Sequence, residues 1–430
     1  MPQMSPSDTP PAAVPVTPSD TASKPHDLHG AGRATTLIHH AYQPPGGFAA
    51  VQPGVFKAST VFFSDTAALK AREWKDKSGY TYGLHGTPTT FTLEERLASL
   101  EGGRQCLLAP SGLSALTLVG QSVLKAGDEV LIPDNVYAPN RDFTRVELAH
   151  WGITHRVYDP MDPAGLAAHI TERTRLLWLE APGSVTLEFP DLPALLQVAR
   201  AHPRLIVALD NTWGAGLAFD PFRLGVPASA DTEGVDISVH ALTKYPSGGG
   251  DVLMGSVVTR DEALHLQLKL THMRLGLGVG ANDAEALLRG LYSLPLRYAA
   301  HDRATRHVAH WLAARPEFEG VLHPALPGSP GHEAWTRVAT AAGGLVSVVF
   351  RGDRHTPERV DAFVDALRVF RIGYSWGGPI SLVMPYSLKG MRRFGALAGR
   401  DGDTLVRFAI GLEDPADLIA DIVQALAVLN

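Results

Sequence analysis

From about Leu93 onward the chain alternates stretches of helical spacing with short, nearly unbroken apolar runs of strand length, a pattern that few folds accommodate. The runs are Glu129–Ile132, His155–Tyr158, Arg175–Leu179, Leu205–Leu209, Val235–Val239 and Gly255–Thr259. A strand covered on both faces loses the in-and-out alternation of a surface strand, so such runs belong to a mostly parallel sheet buried between helices. Helical spacing over Leu93–Leu100, Leu113–Leu124, Arg141–Trp151, Pro163–Thr171 and Leu192–Ala201 supplies the covering layers. The expected class is α/β.

After Asp283 the pattern changes. A long helical stretch, Ala284–Ala314, interrupted at Pro295, leads to strands at Leu345–Phe350 and Leu405–Ile410, a helix at Pro357–Val369 and a closing helix from Pro415. We expect a large sheet domain over residues 86–285 and a smaller α+β domain over residues 286–430. Residues 30–85, with few periodic runs and many Gly and Pro, read as an arm packed on something else, a neighbouring subunit being one candidate. Residues 1–29, rich in Pro, Ser, Thr and Ala, read as a disordered tail that lacks the apolar segment of a signal peptide.

The 430 residues are 45% hydrophobic and 19% charged, with a formal net charge of −6. That composition fits a globular protein, and without a basic block it implies neither nucleic acid nor an anionic membrane surface as partner. No window approaches the roughly 20 uninterrupted apolar residues of a spanning helix, so the cytoplasm is the expected location. The single cysteine, Cys106, cannot form an intrachain disulfide and reads as a buried core thiol. The 18 histidines show no H-E-x-x-H spacing, so no catalytic zinc is expected; His39-His40 and His332-Glu333 read as surface pairs. Gly276–Ala281 fits a loose G-x-G-x-x-A, but helical rather than strand spacing precedes it, and the dinucleotide reading fails on that context.

Chemistry concentrates at two strand ends. Lys244 lies shortly after the Val235–Val239 run, and Asp210 closes the run Leu205–Leu209. A lysine and an aspartate so placed match the needs of pyridoxal 5'-phosphate: an amine for the Schiff base and a carboxylate for the pyridine nitrogen. A surface lysine and a helix-capping aspartate are the plainer readings of each alone. Thr243 offers a hydroxyl to a phosphate, and Ser247-Gly248-Gly249-Gly250 lets the backbone approach a ligand closely. Pro110-Ser111-Gly112-Leu113 opens a helix, whose free N–H groups suit a phosphate. Tyr137, just past a strand, offers an aromatic face to a flat ring or to a neighbouring helix. Arg407 sits inside an apolar strand, where its guanidinium needs either a structural carboxylate or the carboxylate of a substrate.

From about Thr36 to the C terminus the chain resembles the Cys/Met-metabolism family of pyridoxal-phosphate enzymes. The resemblance is carried by Tyr80–Thr89, Leu100-Glu101-Gly102-Gly103, Asp210-Asn211-Thr212-Trp213, Thr243-Lys244-Tyr245, His323–Ser329, Tyr374-Ser375-Trp376-Gly377-Gly378 and Arg407–Asp414. Ser-Trp-Gly-Gly and Asp-Asn-Thr-Trp point within it to the β-lyase branch. The resemblance implies a fold-type I architecture and a homotetramer of dimers whose sites are completed across an interface. It implies that Lys244 forms the Schiff base and shuttles protons, that Asp210 partners the ring nitrogen, and that Tyr137 stacks on the ring. Gly112, Leu113, Thr243 and the neighbouring subunit's copy of Tyr82 would hold the phosphate, and Arg407, Ser375 and Trp376 the α-carboxylate of a thioether amino acid. The implied reaction is α,β-elimination, with other activities of the family, or cofactor binding without turnover, as the alternatives. Two positions depart from the pattern: Leu84 stands where most relatives carry a phosphate-contacting arginine, with His85 beside it, and Pro379-Ile380 follows Ser-Trp-Gly-Gly where a glutamate is frequent.

Overall fold

A computed structural model describes residue 35, residues 50–224 and residues 234–429 of the chain. The tail and His39-His40 lie outside the described residues. Seven strands form the first sheet: β1 (Gln105–Ala109), β2 (Glu129–Pro133), β3 (Thr154–Tyr158), β4 (Thr174–Glu180), β5 (Ile206–Asp210), β6 (Ile237–Ala241) and β7 (Gly255–Thr259). Their order is β1-β7-β6-β5-β4-β2-β3. Strands β2 to β6 pair in parallel, and β7 runs antiparallel to both its neighbours. No crossover helix separates β6 from β7, so the chain returns antiparallel. The sequence reading finds six of these strands and misses β1, whose Gln-Cys-Leu-Leu-Ala has no β-branched residue to mark it.

Several helix boundaries differ from expectation; the helix expected over Pro357–Val369, for one, ends at Asp365. The first large helix spans Pro88–Glu101 rather than beginning at Leu93, because Thr87 caps it reciprocally with Thr90 and Pro88 occupies its first turn. The stretch expected as one helix over Arg141–Trp151 starts earlier, at Ala138–Asp142, and passes through a π-helical turn at Phe143–Glu147. The helix Ala281–Ala313 runs unbroken through Pro295. Proline there costs a backbone hydrogen bond, yet burial of Leu287, Leu288, Leu294 and Tyr298 on either side holds the helix together. A helix, Glu262–Leu275, and not a strand precedes Gly276–Ala281, as expected. His332 is no free surface residue: its Nδ1 lies 2.8 Å from the Pro324 carbonyl and its ring stacks on Trp335. No described helix is long and apolar enough to cross a membrane.

The second sheet has the order β10-β11-β12-β9-β8, from β8 (Gly320–Leu322), β9 (Leu345–Phe350), β10 (Arg371–Ile372), β11 (Leu382–Ser387) and β12 (Thr404–Ala409). The sequence reading finds β9 and β12 there. Pro385 hides β11, since proline argues against an inner strand; it is accommodated because β10 pairs only with Leu382 and Val383, leaving the rest of β11 as an edge.

Alternation along β12 decides what faces the site. Val406 and Phe408 join Val346, Val348, Phe350, Phe363 and Ile422 in a core of their own. Leu405 and Ala409 face the other way, into the core shared with Leu93, Leu97, Val207 and Leu209, and Arg407 lies between them on that face. Cys106 is fully buried in the shared core, as expected. Phe408 is fully buried and meets Phe370 edge to face at 5.0 Å. Phe408→Ala is therefore expected to lower stability by about 3–5 kcal/mol, read from the midpoint of urea unfolding.

Candidate active site

Lys244 is held by a tight turn. Its backbone N–H donates to the Ala241 carbonyl at 3.0 Å, and Ser247 Oγ donates to the carbonyls of Thr243 and Lys244 at 2.9 and 3.1 Å. The side chain reaches the loop between β10 and β11, where Nζ donates to Ser375 Oγ at 2.8 Å and lies 5.3 Å from the centroid of the Trp376 ring. Ser375 has φ +95°, a left-handed conformation that costs a non-glycine residue about 1–3 kcal/mol. Gly377 follows at φ +82°, where a Cβ would come within 2.9 Å of the Tyr245 backbone nitrogen. Burial, then repulsion from Arg407, lowers the Lys244 pKa to about 8, while Asp210 pulls the other way. The amine is therefore partly deprotonated near neutral pH, as an attacking amine must be.

Tyr245, next in the chain, joins the two sheets. It is fully buried, its hydroxyl accepts from Gly344 N–H at 2.7 Å just ahead of β9, and its ring meets Trp376 at 5.3 Å and Tyr298 at 4.7 Å.

Asp210 ends β5 and is no helix cap. Its Oδ1 accepts from the Thr212 N–H at 3.0 Å and from the Thr212 hydroxyl, and its Oδ2 makes no hydrogen bond among the described residues. Thr212 Oγ1 in turn accepts from Ala241 N–H at 2.9 Å, tying the aspartate turn to the strand that leads to Lys244. Glu180, which the sequence reading misses, ends β4 as the register partner of Asp210 and accepts from the Tyr137 N–H at 2.7 Å. Burial raises the pKa of both carboxyls, and the proximity of Asp210 pushes Glu180 up further. Tyr137 is 41% exposed; burial raises its phenol, and the charges of Asp210, Glu180 and Arg407 all act on it.

The helix Gly112–Val123 brings its start to the same place. A Cβ on Gly112 would lie 2.4 Å from Ala241 Cβ, so only glycine lets this helix meet the end of β6 so closely. Ser111 Oγ caps Ser114 N–H at 3.0 Å, and the N–H groups of Gly112 and Leu113 precede the first intrahelical bond. Thr243 Oγ1 is within 3.4 Å of the Met254 carbonyl and accepts from Met254 N–H at 3.3 Å.

Arg407 is buried at 8% exposure without a carboxylate partner among the described residues, and its Nε has no hydrogen bond. Its guanidinium carbon lies 5.5 Å from the centroid of Tyr386. Of the two partners open to it from sequence, the structural carboxylate is thus absent from the described residues.

Sequence reasoning also misses a buried carboxylate network. Glu101 accepts from Asn211 Nδ2 at 2.9 Å and Ser238 Oγ at 2.7 Å, and lies 2.7 Å from His240 Nδ1, all four side chains being buried. A signal for it exists in β6, where Ser238 and His240 alternate with apolar residues although both faces of the strand are covered. Burial opposes the ionised form of Glu101, and its bonds outweigh this and lower the pKa.

Tyr82 stands apart. Its contacts are with Ser59, Thr60 and His85, and none reaches the group around Lys244 among the described residues. His85 stacks on Trp74 at 4.9 Å and lies 2.8 Å from Thr81 Oγ1.

The assembled group offers a partly deprotonated amine, a carboxylate with one free oxygen, two free N–H groups at a helix start, an exposed aromatic face and an unpaired buried guanidinium. Those donors fit pyridoxal phosphate and an amino-acid carboxylate. Residues 34–427 match the family described as Cys/Met metabolism PLP-dependent enzyme. A cystathionine beta-lyase of Bordetella avium is 39% identical, with 95% of this chain and 99% of that protein covered. An L-alanine/L-glutamate racemase of Wolbachia pipientis wMel is 36% identical over 81% of this chain and 83% of that protein. Among solved structures, that of metB from Corynebacterium glutamicum, 28% identical, superposes with a TM-score of 0.79 over 94% of this chain and the whole of the other. The chain has the fold-type I architecture expected from its sequence, and it belongs to the family of pyridoxal-phosphate-dependent enzymes of Cys/Met metabolism.

Proposed function

We propose that this enzyme is a cystathionine β-lyase, converting L-cystathionine and water to homocysteine, pyruvate and ammonia in a route to methionine. The observation that carries the reading is a pair: an amine of lowered pKa at Lys244, and an unpaired buried guanidinium at Arg407 close enough to repel it. Such a pair suits a substrate with an α-proton beside a carboxylate. The 39% identity to the Bordetella avium lyase supports the choice within the family.

Pyridoxal phosphate, when bound, supplies an aldehyde that links to amines and a ring that takes up the electrons left at Cα. The chain's residues do the rest. Arg407 takes the substrate carboxylate in a bidentate grip, with Ser375 and Trp376 closing over it. Lys244 Nζ, steered by Ser375 Oγ, removes the α-proton, and the thiolate then leaves Cβ. With the cofactor bound, Asp210 Oδ2 would hold a proton at the ring nitrogen, Tyr137 would lie against the ring, and Gly112, Leu113 and Thr243, with Tyr82 of a neighbouring subunit, would hold the phosphate. We place this in a homotetramer in the cytoplasm, with residues 30–85 as the arm between subunits; that the contacts of Tyr82 among the described residues are with Ser59, Thr60 and His85 rather than with its own chain's Lys244 group supports that arrangement.

Incubation with L-cystathionine is expected to release pyruvate and homocysteine. Release of 2-oxobutyrate and cysteine would move the protein to the γ branch, and D-alanine from L-alanine would favour the racemase reading that the Wolbachia relative motivates. Lys244→Ala is expected to abolish turnover, so substantial retained activity removes its assigned role. Arg407→Ala is expected to lower kcat/KM by about 2–4 kcal/mol in transition-state binding, chiefly through KM. In the cofactor-free protein, reductive labelling of Lys244 by an aldehyde is expected to rise with pH through a midpoint near 8. Arg407→Gln should move that midpoint upward, because it removes a positive neighbour.

A further inference from the structure

A buried guanidinium without a carboxylate is costly unless something else stabilises it. Around Arg407 the adjacent strands offer little. Its register partner on β9, Ser347, spends its hydroxyl on the Val185 carbonyl at 2.7 Å, and its partner on β11, Met384, is uncharged. Two residues beyond Met384, hence on the same face of β11, Tyr386 sets its ring 5.5 Å from the guanidinium carbon. An aromatic face within about 6 Å of a cation attracts it through the ring quadrupole, and more strongly where water is excluded. Tyr386 is half-buried, and its hydroxyl makes no hydrogen bond among the described residues, so the ring is what it brings to Arg407. Burial also raises the Tyr386 phenol, which keeps it uncharged beside the cation at neutral pH.

We propose that Tyr386 is a positioning residue of the carboxylate site: its ring fixes the plane of the Arg407 guanidinium and screens one face from water, leaving the donor edge free for the carboxylate of an amino-acid substrate. This rests on the reading of Arg407 as the carboxylate anchor. A residue acting in this way governs how tightly substrate is held, and leaves the proton transfer at Lys244 to other groups.

The test uses the holoenzyme and Tyr386→Leu, with Tyr386→Met as a second ring-free variant should the first fold poorly. Propionate serves as a carboxylate probe that carries no amine. Losing a partly desolvated cation–π contact is expected to raise KM for cystathionine and the inhibition constant of propionate by about 5- to 30-fold. The change in kcat at saturating substrate is expected to be smaller than that in KM, with the melting temperature and the bound-cofactor absorbance retained. Tyr386→Phe, which keeps the ring, is expected to restore both constants to within about 3-fold of the parent. Unchanged constants in the ring-free variants overturn the proposal. So does a fall in kcat alone, or a Phe variant as impaired as Leu. Arg407→Ala separates the two layers: if it leaves propionate inhibition unchanged, the carboxylate reading itself fails; if it weakens inhibition while the Tyr386 variants do not, only the role of Tyr386 fails.

Discussion

The 2.8 Å approach of Lys244 Nζ to Ser375 Oγ spans two sheets that share no strand, and it depends on how Tyr245 packs. That side chain follows Lys244 directly, so whatever fixes it fixes the lysine. Its hydroxyl bond to Gly344 anchors it to the start of β9, two strands' width from β11 and one from Arg407's own strand. Its ring wedges Trp376, and its backbone nitrogen leaves room for nothing larger than glycine at Gly377. One residue thus sets the spacing between the amine and the guanidinium, the two groups on which the proposed chemistry turns. A side chain with mobile neighbours would not hold such a spacing, and here Tyr298, His301 and Trp376 each pack edge to face against the Tyr245 ring.

The site is assembled against its own stability. Ser375 is strained in φ, Lys244 and Arg407 are desolvated cations that repel each other, and Glu180 and Asp210 bring two carboxyls to adjacent strand ends. Each of these is tolerated because the surrounding layers leave it no alternative conformation. The same desolvation that destabilises Lys244 sets the protonation state that the chemistry uses, a lysine ready to lose its proton.

Much of this was readable from sequence, for physical reasons that differ residue by residue. The parallel core was visible because strands covered on both faces are apolar throughout, and Lys244 and Asp210 because such strands deliver polar residues at their C-terminal ends. Arg407 stood out as a cation in an apolar run. Ser375 and Trp376 came only from the family resemblance, since nothing in their spacing announces a partner 131 residues away. Glu180 and Tyr386 were missed because their importance lies in register, Glu180 against Asp210 and Tyr386 diagonal to Arg407, and register is a property of the folded sheet. The unbroken helix through Pro295 and the strand containing Pro385 show local preference yielding to tertiary packing. Tyr82 marks the edge of what a single chain explains.

The buried carboxylate of Glu101 carries a consequence for how the chain assembles. Its partners Asn211, Ser238 and His240 lie 110, 137 and 139 residues further along. During synthesis the helix that ends in Glu101 is complete long before them, and docking it early would bury an anion with nothing to meet it. Strands β2 to β4 and their helices make no bond to Glu101 and do not wait for its partners. The helix Pro88–Glu101 then waits for β6, and the strand whose His240 satisfies Glu101 is the one that leads into Lys244. Closure of this part of the core and the placing of the lysine are thereby a single late event, so a chain that has not finished folding does not present the amine in its working position.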